Sequence, residues 1–404
     1  MLYGKEGRRK MKKIKNIPFS PPDISDREVE EVCKVLKSGW ITSGPKLMEF
    51  GQKVHEYCQC EKAIAVSSAT AAMELILKVL DIKEGDEIIS TPYTYTATSS
   101  VAVHRGIKPV YVDVAKDSFF MDYGKLADAI TEKTRVIMPV DIAGVPCDYD
   151  RIKSILKEKN REDIIILCDS AHSFGAKYKG RRVGSQADFH SFSFHAVKNL
   201  TTAEGGALVF DNNNFAGKED LYRECKVTSL HGQTKDALSK MKIGAWEYDI
   251  VTDGFKCNMT DINAAIGLVQ LERYEGMLKK RAEIFDIYNE VLSKEDFAIL
   301  PFTKDDEGTE TSYHLYLLRL KGFDEAKRNK VIEDLGEKGI ATNVHYKPLP
   351  MLTLYKNLGY SIEDYPNAYA QYANEISLPV YTTLDLEDAR YIAEEVVKSV
   401  KKFI

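Results

Sequence analysis

Lys198 follows an apolar run, Ile164–Cys168, that ends on the carboxylate Asp169. A lysine downstream of a strand-end acid can do one specific kind of chemistry. Its amine condenses with an aldehyde, and the carboxylate keeps a ring nitrogen protonated so that the ring draws electrons, which is what pyridoxal phosphate needs. The chain holds 56 Lys and Arg residues. On spacing alone, a lysine after an apolar strand is more often a solvated surface residue.

Other residues could complete such a site. Neither G-x-G-x-x-G nor G-x-x-x-x-G-K-[ST] occurs, so a cofactor phosphate needs another cradle. Val66-Ser-Ser-Ala-Thr-Ala-Ala72 is a small-residue run between a predicted strand and helix. It is an ordinary helix start, or an anion site where backbone N–H groups and the helix dipole meet a phosphate. His172 lies three residues after Asp169, and Tyr93 and Tyr95 follow another strand. By themselves these are a polar loop residue and two half-buried tyrosines.

The wording of these segments resembles the pyridoxal phosphate-dependent nucleotide-sugar aminotransferases of the DegT type. Ser193-Phe-His-Ala-Val-Lys-Asn-Leu200 with Ala203-Glu-Gly-Gly206 is similar to their lysine segment, and the resemblance runs from Pro18 to about Leu378. It implies a fold-type-I aminotransferase. Lys198 then carries the cofactor and Asp169 partners the pyridinium. Thr70, Ala71 and Ser193 hold the phosphate, His172 reaches the ring hydroxyl, and Tyr95 stacks on the ring. Ala69 stands where Gly is commoner. Gly254–Asp261 matches a segment whose Asn, in many members, reaches the neighbouring subunit's phosphate. Here that position is Lys256, as in the arabinose-type branch, and Asn258 replaces an Arg. Trp40, Thr42, Ser43 and Gly44 resemble the sugar-side loop, and His345-Tyr-Lys-Pro348 an element near the sugar. Asp141, near the substrate in the family, stands where most members have His. The implied reaction moves an amino group from glutamate to a nucleotide-linked 4-keto sugar, leaving 2-oxoglutarate, in a homodimer with shared active sites. A 3-keto sugar is the alternative. Related sugar dehydratases typically replace the lysine with His, and a non-catalytic regulator should lose Lys198, Asp169 or the phosphate loop. All three are kept.

The elements that must position these residues can be read from periodicity. Helical spacing starts at Ser25–Asp26, Gly39–Pro45 reads as a loop, and Ala63–Ser68 is a buried strand followed by a helix to Leu80. Strands at Glu87–Ser90, Pro109–Val114, Arg135–Val140 and Ile164–Cys168 alternate with helices at Thr96–Arg105, Tyr123–Ile130 and Tyr149–Lys159, and Gly206–Phe210 adds a strand. Continuous apolar strands separated by helices predict an α/β fold with a large, mostly parallel sheet covered on both faces. A long helix reaching about Glu295 leads to a smaller C-terminal α/β lobe with a strand at Ser312–Leu320 and helices at Glu325–Lys338 and Ala389–Lys402. The expected domains are 17–270 and 271–404, after a basic extension, 1–16, read as disordered.

The 404 residues carry a net charge of −5 and seven scattered cysteines. That offers no basic field for nucleic acid and indicates reduced thiols in the cytoplasm. No apolar run is of transmembrane length. Cys58-Gln-Cys60 lacks a second Cys/His pair at suitable spacing, so no metal site is expected.

Overall fold

A computed structural model describes residues 15–235 and 246–404. Most of the basic extension, residues 1–14, lies outside them. The chain enters through α1 (Asp26–Ser38), started by Glu28 accepting from the Ser25 N–H at 2.8 Å and closed by Gly39 at φ 74°. α2 (Pro45–Cys58) follows, with proline at its first position. Then come β1 (Lys62–Val66), α3 (Ala69–Val79), β2 (Glu87–Ser90), α4 (Ala97–Val103), β3 (Lys108–Tyr111), α5 (Tyr123–Ala129), β4 (Thr134–Ile137), α6 (Tyr149–Glu158) and β5 (Ile165–Asp169). A short hairpin, β6 (Lys177–Tyr178) and β7 (Arg181–Arg182), precedes β8 (Phe189–Ser193) and β9 (Gly206–Phe210). α7 (Leu221–Thr228) and α8 (Asp261–Leu292) lead to β10 (Ala298–Ile299), β11 (Tyr316–Leu320), α9 (Glu325–Glu337), α10 (Thr353–Asn357), α11 (Pro366–Asn374), β12 (Glu375–Leu378) and α12 (Leu386–Lys401).

Seven strands form one sheet in the order β1-β9-β8-β5-β4-β2-β3. The pairs from β8 to β3 are parallel. β9 runs antiparallel to both β8 and β1 because residues 194–205 return the chain without a crossover helix. Alternate strand residues enter two cores. Ile89, Ile137, Ile166 and Val209 pack with α2, α6 and the first half of α8. Ile88, Val136, Ile165 and Leu208 pack with α3, α4 and α7. Both faces are buried, hence the unbroken apolar runs.

The C-terminal lobe is a three-stranded antiparallel sheet, β10-β11-β12, around its own core. α8 joins the two: Ala264, Leu268 and Met277 belong to the large core, and Ile284, Phe285 and Tyr288 to the small one. The 270/271 division suggested by the sequence falls inside this helix.

The segment before β11 is fastened to the large sheet's carboxyl end. Ser312 donates its N–H to the Gly144 carbonyl at 2.9 Å and its Oγ to the His172 carbonyl at 2.6 Å. Gly144 has φ 94°, and a Cβ there would lie 2.1 Å from Ser312 Oγ. Gly144→Ala should therefore cost about 2 kcal/mol or more of stability and weaken cofactor retention. Chemical denaturation checks it; parent-like stability would contradict the fastening.

Candidate active site

Strand ends and helix starts converge on one side of the large sheet. Asp169 ends β5, Ser193 ends β8, and α3 opens just after β1. Ligands of open α/β sheets bind outside the carboxyl ends of strands. A cavity of about 380 Å³ lies there, and Thr70, Tyr95, Asp169, His172, Ser193, Lys198, His345 and Tyr346 all line it.

Lys198 sits in the loop between β8 and β9. The loop is pinned by Phe194 N–H to the Gly205 carbonyl at 2.8 Å and Thr202 N–H to the Phe194 carbonyl at 2.9 Å. Next to it, Asn199 donates to the Ser312 carbonyl at 2.6 Å and meets His314 at 2.9 Å. The Lys198 amine makes no hydrogen bond or ion pair among the described residues. Loss of solvation pushes it down to about 8, against the pull of Asp169.

Asp169 is buried. Its Oδ2 accepts from Thr98 Oγ1 at 2.6 Å and its Oδ1 from the Ala171 N–H at 3.2 Å. Burial raises its carboxyl above the usual range, opposed by Thr98, Ala171 and Lys198. A cation placed against it would relieve that cost. His172 accepts the Ala143 N–H on Nδ1 at 3.2 Å, so Nε2 holds its ring proton and faces the Tyr346 hydroxyl at 3.0 Å. Burial, with Lys198 and His345 nearby, holds it far below the ordinary histidine range, and it stays neutral. Tyr346 also lies beside Tyr95, ring centres 5.8 Å apart.

α3 begins with Ser68 Oγ accepting the Ala71 N–H at 3.0 Å. Ala69 takes ordinary helical geometry, with no left-handed φ to favour the glycine commoner there. β9 packs tightly against this start: a Cβ on Gly206 would lie 2.4 Å from Ala69 N. A cavity-facing amine without a partner among the described residues, a buried carboxylate lacking a close cation, and a helix start lined by Ser68, Ala69 and Thr70 together fit pyridoxal phosphate.

Five expected residues lie off this cavity in the single chain. The Ala71 amide is engaged by Ser68. Trp40 Nε1 donates to the Ser43 carbonyl at 3.1 Å, and Thr42 accepts the Asp261 N–H at 3.0 Å. Ser43 donates to the Met259 carbonyl at 2.9 Å and lines a second, smaller cavity beside α7. Lys256 is exposed and reaches Asn258. Asp141, expected near the substrate, faces inward instead. It is fully buried and accepts from the Cys147 N–H at 2.9 Å, Tyr149 and Ser170 at 2.8 Å, and Ser173 at 2.6 Å. Its role is to tie the loops beneath Asp169. Sequence reasoning missed Thr98 and Asn199; a threonine and an asparagine carry no signal until the fold sets them beside Asp169 and His314.

A family model matches residues 22–397 of this chain. The chain belongs to the DegT/DnrJ/EryC1/StrS aminotransferase family. The fold agrees. Spr1654 of Streptococcus pneumoniae, described as a sugar aminotransferase, superposes in its PMP form with a TM-score of 0.92 at 49% identity, over 96% of this chain and 100% of that one. Its PLP form gives 0.91 at 48%. Methanocaldococcus jannaschii MJ1066 is 41% identical over 96% of this chain and 97% of that protein. SpsC of Bacillus subtilis, a spore coat polysaccharide biosynthesis protein, is 36% identical over 95% and 97%. The fold is thus fold-type-I, and the enzyme a pyridoxal phosphate-dependent aminotransferase.

Only the neutral Lys198 amine attacks an aldehyde. With the amine near 8, the rate at which the apoenzyme loads cofactor should rise about tenfold from pH 7 to pH 9 and then level off. Reduction with borohydride followed by intact-mass measurement reads the loaded fraction. A rate still climbing steeply at pH 10 would place the amine at its ordinary value.

Proposed function

We propose that this aminotransferase passes an amino group from glutamate to a nucleotide-linked 4-keto sugar. One observation carries the reading: the Lys198 amine and the Asp169 carboxylate share a cavity that Thr94, Tyr95, His345 and Tyr346 also line with groups able to hydrogen-bond a sugar. The description of Spr1654 as a sugar aminotransferase and the polysaccharide role of SpsC support it.

Pyridoxal phosphate, when bound, supplies an aldehyde and an electron-withdrawing ring. Lys198 Nζ, near 8, exchanges a proton close to neutral pH, so it serves as base and then as acid. The buried Asp169 carboxylate would keep a proton on the ring nitrogen of that group. Thr70, Ser193 and the start of α3 would hold the phosphate, and Tyr95 and Tyr346 line the cavity that Lys198 faces.

The same proposal places two chains in a cytoplasmic homodimer with shared active sites. Lys256, exposed here, would meet the neighbour's phosphate as a point charge, and Trp40, Thr42 and Ser43 would approach the sugar. Each chain would divide into a large domain, 17–270, and a small one, 271–404. Among the described residues, no helix is long and apolar enough to cross a membrane.

A panel of UDP- and dTDP-linked keto sugars with glutamate tests the substrate. At least one 4-keto sugar should yield an amino sugar and 2-oxoglutarate, and Lys198→Ala should abolish both. Turnover of 3-keto sugars alone would move the amination to C3.

A further inference from the structure

β12 sends Glu375 and Ser377, two residues apart and so on one face, toward the segment that carries His345. Glu375 is fully buried. Its Oε2 accepts the His345 N–H at 2.9 Å and its Oε1 the Ser377 hydroxyl at 2.6 Å. Ser377 Oγ also lies 2.8 Å from His345 Nδ1. A serine has one proton to give. While it goes to the ionised Glu375, Ser377 only accepts from His345, so Nδ1 carries the ring proton and Nε2 is bare. Among the described residues Nε2 has no partner and is not a buried unpaired atom, and His345 lines the cavity. Nε2 therefore opens into that space. Phe19 stacks on the ring at 5.5 Å, and Tyr93 donates to the His345 carbonyl at 2.9 Å.

We propose that Glu375 and Ser377 are positioning residues that set the tautomer of His345, and so decide whether its Nε2 accepts from or donates to the sugar substrate. The substrate half of this rests on the proposed function; the tautomer half does not. The neighbouring Tyr346 is set the other way. It takes the Nε2–H of His172, which leaves its own hydroxyl proton for the cavity. With Glu375 ionised, His345 offers an acceptor and Tyr346 a donor, a pair that matches a sugar hydroxyl beside a second oxygen.

Protonating Glu375 reverses the chain. A proton on Oε1 turns Ser377 to donate to Nδ1, and the ring proton moves to Nε2. Burial raises the Glu375 carboxyl to about 8, opposed by Ser377, His345 and Arg328. The groups facing it are Arg328 of α9, whose Nη1 donates to the Glu375 carbonyl at 2.8 Å, its register partner Arg319 of β11, the hydroxyls of Tyr93 and Tyr346, and His345 itself. His345 stays neutral throughout, since burial pushes it down to about 4.

Nitrogen-15 NMR of histidine-labelled enzyme, with His345 assigned from the His345→Gln spectrum, reads the tautomer directly. The parent should show Nδ1–H at pH 9 and Nε2–H at pH 6.5. Ser377→Ala should lose this change. One tautomer at both pH values in the parent, or an unchanged flip in Ser377→Ala, overturns the proposal whether or not Glu375→Gln folds. With a UDP-linked 4-keto-6-deoxyhexose at pH 9, Ser377→Ala should raise the sugar KM about fivefold or more, and the glutamate KM by less. Equal changes in both would assign Ser377 a purely structural role. If the parent does not react with glutamate at all, the proposed function fails, while the NMR result still decides the relay.

Discussion

The Asp169 carboxylate ends the central strand β5 with one hydroxyl and one backbone N–H as its donors, and the site is arranged around that charge. Little water reaches it, so its electrostatic effect on neighbours is far stronger than at a surface. Lys198 faces the same cavity, drawn down by desolvation and held up only in part by Asp169. His172 is kept neutral by the same burial. A second carboxylate, Asp141, lies below and takes up donors from Cys147, Tyr149, Ser170 and Ser173. That leaves Asp169 as the buried carboxylate that lines the cavity, whereas Glu204 at its rim is exposed.

The parallel strands are legible in the sequence because both sheet faces are buried, which forces unbroken apolar runs. Elements set by tertiary contacts are not. α2 starts at Pro45, inside what reads as a loop edge, because the Asp261 carboxylate accepts the Gly44, Lys46 and Leu47 N–H groups from over two hundred residues away. β8, with its buried His190 and Ser191, is not an apolar run, yet it lies in the sheet between β5 and β9. His190 is tolerated because Ser170 and the Ala187 N–H satisfy both ring nitrogens.

Within the site, Asp169 stands out because it ends an apolar strand, and Lys198 because the Ser193–Gly206 segment around it resembles the family's lysine segment. Thr98, Ser377 and Glu375 do not: they act through another residue, and their partners are far away in sequence. Asp141 shows the converse. The family resemblance points it to the substrate, but its side chain turns inward to Cys147, Tyr149, Ser170 and Ser173. Spacing along a chain places a residue at the end of a strand; it does not say which way the side chain faces.

The central claim is that Asp169 keeps the cofactor ring nitrogen protonated. Reconstituting the enzyme with pyridoxal phosphate labelled with nitrogen-15 in the ring, and recording its chemical shift, tests this directly. A pyridinium shift at neutral pH, moving to the neutral-pyridine range in Asp169→Asn, is the predicted result. A neutral-pyridine shift in the parent enzyme would contradict the account.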